Sequence, residues 1–151
     1  MFKKLLEIIS SEKRSKTEQI DSNIIFASLL VRAARIDNEY SDVEKQQIDL
    51  IIKEKFLVPI SKAHEIRTYA EEFEQDIVDT VQITKKIKKD IPFEERQALA
   101  EDLWSIVLVD SIRSEDENSF MRTCIKLIGV NDVDSAIARR AVIDRIKKNN
   151  H

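Results

Sequence analysis

With a single glycine, Gly129, and two prolines, Pro59 and Pro92, in 151 residues, this chain has few places where it can turn tightly. Glycine supplies most positive-φ turn positions, and proline presets many of the others. A sheet of alternating hairpins needs many such residues, whereas helices joined by short polar connections need few. The sequence therefore predicts an all-α fold. Hydrophobic residues make up 42% of the chain and charged residues 35%, too apolar for disorder and well suited to amphipathic helices. One compact domain of this length buries roughly two-thirds of its unfolded surface without disulfides or metal staples.

A formal net charge of −3 argues against general nucleic-acid binding, which relies on clustered Lys and Arg neutralising phosphates. Cys124 has no second cysteine to pair with. Its neighbours Phe120, Met121, Ile125 and Ile128 form a helical apolar stripe, so the thiol is expected to be buried and inert. No apolar run approaches the roughly 20 residues needed to span a bilayer. Phe2, Leu5, Leu6 and Ile9 fall at helical spacing, but Glu7 interrupts what would be a signal peptide's apolar core. No export signal is expected, and a cytoplasmic location is the default. Residues 1–16 carry five basic side chains against Glu7 and Glu12. They read either as an amphipathic helix docked on the domain and followed by a linker, or as a segment, residues 2–9, lying peripherally on the inner face of the membrane.

Residues 17–148 then read as one helical domain, ahead of a frayed tail at 149–151. Apolar spacing predicts a helix from about Gln19 to Ile36, with Ile20, Ile24, Ala27, Val31 and Ala34 on one face. Ser41 and Glu44 form a Ser-x-x-Glu capping box that opens the next helix, through Ile48, Ile51 and Ile52 to Phe56. Pro59 ends it. Ser61 is expected to cap a helix reaching about Phe73, and Asp76 one carrying Ile77, Val81, Ile83 and Ile87. Glu71, Glu72, Glu74 and Asp76 ahead of that helix, with Lys85, Lys86, Lys88 and Lys89 at its end, match the helix dipole. Pro92 suits the first turn of a helix with Leu99, Leu103, Trp104, Ile106 and Val107, ending at Asp110. Ser114 and Glu117 repeat the capping box before Met121, Ile125 and Ile128. Gly129 suits a left-handed C-cap. Asn131 caps a last helix expected to turn Val133, Ile137, Ala141 and Ile146 inward. The total is about seven to eight helices.

Two acidic stretches organise this series. Asp37, Ser41 and Glu44 recur as Asp110, Ser114 and Glu117, at a constant offset of 73 residues. The same shift pairs Phe26 with Leu99, Ala27 with Ala100, Leu30 with Leu103, Ile36 with Val109, Ile48 with Met121 and Ile52 with Ile125. The chain thus reads as two pseudo-repeated units of helix, acidic turn and helix. The Ser and Glu of each copy are accounted for as caps. An Asp that ends a helix sits in the unfavourable half of its dipole, typically by about 0.3–1 kcal/mol. Two explanations remain open: amide hydrogen bonds within an Asx turn, or a cation bridging Asp37 with Glu39, Asp42 or Glu44, and Asp110 with Glu115 or Glu117. All-oxygen ligands favour Ca²⁺, Mg²⁺ or Mn²⁺. The spacing is not that of an EF-hand, which needs a central Gly and a Glu at its twelfth position.

The run Ala33-Ala-Arg-Ile-Asp-Asn-Glu-Tyr-Ser-Asp-Val-Glu44 resembles the signature of TerB-like tellurite-resistance proteins. There an alanine-rich helix ends in Asp-Gly-Glu, an apolar residue and Asp-x-x-Glu, with a related copy downstream. The likeness covers roughly residues 20–148, with Asn38 and Ser111 in place of the usual Gly and Arg113 in place of an aliphatic residue. It implies an all-α domain with metal-binding acidic sites, acting in stress-linked or membrane-associated assemblies. By motif position the metal ligands are Asp37, Glu39 and Glu44, with Asp110 and Glu117. The expected function is a non-enzymatic module that binds a divalent cation or a protein partner through its acidic turns. A metal-free adaptor whose acidic turns are only caps is the alternative. A metal-dependent hydrolase fares worse, because His151 is terminal and His64 is the only other imidazole.

Overall fold

The stretch from Ile24 to Ala34 is apolar around a full helical turn, interrupted only by Ser28 and Arg32, and has no face suited to water. In the computed structural model of the protein it forms the middle of α1 (Arg14–Arg35). Phe26, Ala27, Leu29, Leu30, Val31, Ala33 and Ala34 are each at most 2% exposed. The Ser28 hydroxyl satisfies itself by donating to the Ile24 carbonyl at 2.7 Å. The structure describes residues 14–36, 39–76, 80–109 and 115–149, with side chains from residue 23 in α1 and from residue 119 in the sixth helix.

Six further helices follow: α2 (Asp42–Phe56), α3 (Ile60–Gln75), α4 (Thr80–Asp90), α5 (Phe93–Leu108), α6 (Glu115–Leu127) and α7 (Asp132–Asn149). Among the described residues there is no strand, so the fold is all-α, as the scarcity of glycine predicts. Helices α2 to α6 all pack on α1, and α7 packs on α5. The Ile24–Ala34 stretch of α1 is thus buried all round, not on the one face that its spacing predicts. α1 also starts at Arg14, ahead of the expected Gln19.

Positions paired by the 73-residue offset are alike in burial. Phe26 and Leu99, Ala27 and Ala100, Leu30 and Leu103, Ile48 and Met121, and Ile52 and Ile125 all lie in the core. Cys124 is fully buried, and burial pushes its thiol up to about 12, which keeps it protonated and unreactive.

The chain punctuation agrees with expectation at some joints and departs from it at others. Gly129 has φ +87° and closes α6, with Val130 N–H donating to the Ile125 carbonyl and Gly129 N–H to that of Lys126. This is a Schellman pair. Asn131 caps α7, its side-chain oxygen accepting from the Asp134 amide at 2.8 Å. Ser61, however, caps nothing. α3 starts directly after Pro59, whose carbonyl takes the Lys62 and Ala63 amides while no side chain caps the helix. α3 also runs to Gln75, so Asp76 ends it instead of opening α4.

The inward face of α7 is the third departure. Ala138 and Val142 are buried and Ile146 partly so, whereas Val133 is 69% and Ile137 56% exposed. The two rows are a residue apart, and a step of 100° carries Val133 and Ile137 out of the contact with α5.

Leu57 closes α2 at φ 55°, in the left-handed region, and its side chain is 89% exposed. A non-glycine residue there costs about 1–2 kcal/mol, and this one buries nothing in return. Leu57→Gly is therefore expected to raise stability by roughly 0.5–1 kcal/mol. Equilibrium urea unfolding of the two proteins measures this, and a loss of stability would contradict the cap geometry.

Candidate functional site

The turn between α1 and α2 is the first of the two acidic stretches. Ser41, at φ −80° and ψ 162°, occupies the N-cap of α2. Its hydroxyl accepts from the Glu44 amide at 3.2 Å, and its own amide donates to Glu44 Oε1 at 3.0 Å. The Ser41 hydroxyl also donates to the same oxygen at 3.1 Å. The predicted capping box is complete, and the Glu44 side chain is folded inward with the residue only 1% exposed. Glu39 is exposed.

Tyr40 pins this turn to the body of the domain. Its ring lies between two cations, with the Arg35 guanidinium 5.2 Å and the Lys45 ammonium 5.0 Å from the centroid. The hydroxyl is buried near Arg67 and Glu71 but completes no hydrogen bond of good geometry with either. Burial, and then the Glu71 carboxylate, push the phenol well above its ordinary value, against the opposing pull of Arg67.

Beneath the turn run two ion networks that join α1, α2 and α3. Arg67, 6% exposed, donates from Nε to Asp49 Oδ1 at 2.6 Å and from Nη1 to both Glu71 oxygens at 3.1 and 3.2 Å. Its Nη2 meets His64 Nδ1 at 2.8 Å. A guanidinium has no acceptor, so the imidazole nitrogen must accept. Burial is the largest single influence and works against charge on Arg67, but the hydrogen bond to Asp49, together with the attraction of Asp49 and Tyr40, outweighs it and holds the guanidinium above its usual value. In the second network Glu74 receives Arg32 Nε at 3.0 Å on one oxygen and Arg35 Nη1 at 2.6 Å on the other. Arg35 Nη1 also reaches the Glu71 carbonyl at 3.2 Å, and Arg32 Nη1 reaches Thr80 Oγ1 at 3.1 Å.

Of the five residues expected to hold a metal, the structure describes the side chains of two, Glu39 and Glu44. They stand on either side of the N-cap, one in solvent and one turned inward. Asp37, Asp110 and the Glu117 side chain lie outside the described residues, as does Ser114. Among the described residues, no group of three or more His, Cys, Asp or Glu is placed to hold a metal ion. Sequence reasoning missed both ion networks. Glu71 and Glu74 read as part of an acidic run matched to the α4 dipole, yet Glu71 is a partner of the buried Arg67 and Glu74 of the half-buried Arg32 and Arg35. Arg67 and Glu71 at i,i+4 carried the one local signal; the pairing of Arg32 and Arg35 with Glu74 spans about 40 residues and leaves none.

Both acidic stretches, the buried stretch of α1 and the two networks fall within residues 23–140, and over those residues the chain matches the family model described as Tellurite resistance protein TerB. The chain belongs to the TerB family. The match runs from the first described side chain of α1 to the middle of α7, and so covers most of the TerB domain seen here. Comparison with curated proteins gave no match, and neither did comparison with solved structures. No described helix of this TerB domain is long and apolar enough to cross a membrane.

The two buried polar arrangements predict opposite responses to removal. Asp49→Ala leaves Arg67 without its closest acid and is expected to destabilise by about 3–5 kcal/mol. Tyr40→Phe removes a buried hydroxyl whose contacts with Arg67 and Glu71 fall short of hydrogen-bond geometry, and stability is expected to stay within about 0.5 kcal/mol or rise. Urea unfolding of both variants tests the pair, and a large loss in Tyr40→Phe would mean that the hydroxyl is bonded.

Proposed function

We propose that this TerB domain is a non-enzymatic binding module that holds a divalent cation at its acidic inter-helix turns. Asp37, Glu39 and Glu44 form the principal candidate set, and Asp110 and Glu117 its counterpart in the second unit. The observation that carries this reading is the recurrence of the turn at a fixed offset, each time after a helix whose paired positions are buried. In the first turn the donor set is oxygen only and Glu39 is free of burial, which suits Ca²⁺, Mg²⁺ or Mn²⁺. Glu44 Oε1 is already engaged by Ser41, so this residue also fixes the shape of the turn. A basic segment of a protein partner is the other ligand that such a surface suits, by charge complementarity.

A metal-free adaptor is the second reading, and the complete capping box at Ser41 and Glu44 favours it. Neither reading assigns a reaction. His64 is turned to Arg67, with its Nδ1 lone pair in use, which supports a module without acid–base chemistry.

Thermal melting of chelator-stripped protein, titrated separately with Ca²⁺, Mg²⁺, Mn²⁺ and Zn²⁺, separates the two. Bound cation at a hundredfold excess over its dissociation constant is expected to add about 2.7 kcal/mol. For a domain of this size that is a rise in Tm of roughly 5–11 °C. Asp37→Asn is expected to remove most of the shift while changing the metal-free melt only slightly. No shift at millimolar ion would favour the adaptor, and a full response in Asp37→Asn would place the cation elsewhere.

A further inference from the structure

Arginines in this structure are mostly matched by acids: Arg32 and Arg35 by Glu74, Arg67 by Asp49 and Glu71, Arg140 by Asp144, and Arg145 by Glu101. Arg96 donates to the Lys88 carbonyl. Arg122 and Arg139 differ, since neither has a hydrogen bond or an ion pair among the described residues. The sequence explains this. One helical turn from Arg122 stand Asn118, Ser119, Ile125 and Lys126, and one turn from Arg139 stand Ser135, Ala136, Val142 and Ile143. None of them is an acid, so neither arginine has a local counter-ion of the kind that pairs Arg67 with Glu71 or Arg140 with Asp144.

Both unmatched guanidinium groups line one cleft, of about 420 Å³, where α5, α6 and α7 meet. That is within the range of small-molecule sites. Arg139 is held from below by the Trp104 ring, 5.7 Å from its guanidinium carbon. Trp104 in turn donates from Nε1 to the Ser135 hydroxyl at 3.2 Å. This use of the oxygen leaves the Ser135 O–H free to donate into the cleft. The buried Ile125 supplies an apolar floor. Asp132 is the single acid in the lining; it is exposed and sits in the first turn of α7, where the helix dipole already favours a carboxylate. Two guanidinium groups against one carboxylate leave the cleft positive in a chain that is acidic overall.

We propose that this cleft binds a small organic phosphate, independently of the acidic turns. A carboxylate is filled by a single guanidinium fork, whereas a phosphate offers three oxygens and two charges. Two forks and a hydroxyl match the phosphate. Arg122 and Arg139 grip the phosphate oxygens, Ser135 donates to the third, and the organic part rests on Ile125 and Trp104 where they line the cleft.

Trp104 is the only tryptophan of the chain, so its fluorescence reports on the cleft directly. The full chain, kept in chelator, is titrated with phenyl phosphate, with benzoate and with phenol. A saturable change with phenyl phosphate is expected, weaker with benzoate and absent with phenol. Arg122→Gln and Arg139→Lys are each expected to weaken binding by roughly tenfold or more. Asp37→Asn is expected to leave it unchanged. Arg139→Lys keeps a cation over the indole, and thermal melting of each variant checks that the fold persists. A response that phenol reproduces, or one that survives both arginine substitutions in folded protein, overturns the proposal, as does the lack of any saturable response.

Discussion

A helical stretch that is apolar on every side has only one place to go, the centre, and Ile24–Ala34 of α1 imposes that constraint on the whole chain. Every neighbour that covers it must approach closely. Ala27, Ala33 and Ala34 make this cheap, because they are fully buried and add little bulk. The difficulty comes at the C-terminal turn, where Arg32 and Arg35 emerge from the same buried helix. A cation held there without a partner would be costly, and Glu74 meets both of them at once. The end of α3 is therefore tied to the end of α1.

This bears directly on the acidic turn. The C-terminal end of a helix carries partial negative charge, which basic residues in the last turn normally offset. Arg32 and Arg35 occupy that turn, but their charge is shared with Glu74. The turn beyond is left with the negative end of the α1 dipole and an exposed Glu39. Tyr40, wedged between Arg35 and Lys45, and the Ser41–Glu44 box hold the backbone on the far side.

The fold class was legible because it depends on what the chain lacks. Too few glycines for hairpins left helices, and the caps that use local partners, Ser41 with Glu44, Asn131 and Gly129, fell where their side-chain chemistry required. Ser61 failed as a cap because Pro59 offers its carbonyl to the same first turn, a competition that spacing alone does not resolve. Val133 and Ile137 failed as core residues because α7 is apolar on more than one side, and only packing on α5 chooses among its faces. The acidic turns could be read as a repeat. The networks beneath the first turn could be read only at the Arg67–Glu71 spacing, since the partners of Arg32 and Arg35, and the Asp49 that meets Arg67, lie on other helices.

The same reasoning distinguishes charges that serve the fold from charges that remain available. Arg67 and Glu71 are one turn apart and also reach Asp49, so their charge is consumed in holding α2 against α3. Lys55 likewise lies over the Phe26 ring and meets Asp102 at 3.1 Å, which binds α2 to α5. Burial raises the Asp102 carboxyl above its ordinary value, against the pull of Lys55, and this pair too serves the fold. Arg122 and Arg139 have no acid one turn away, and Glu39 faces solvent. Positive charge without a local counter-ion is thus left where α5, α6 and α7 meet, apart from the ion pairs that hold the helices together.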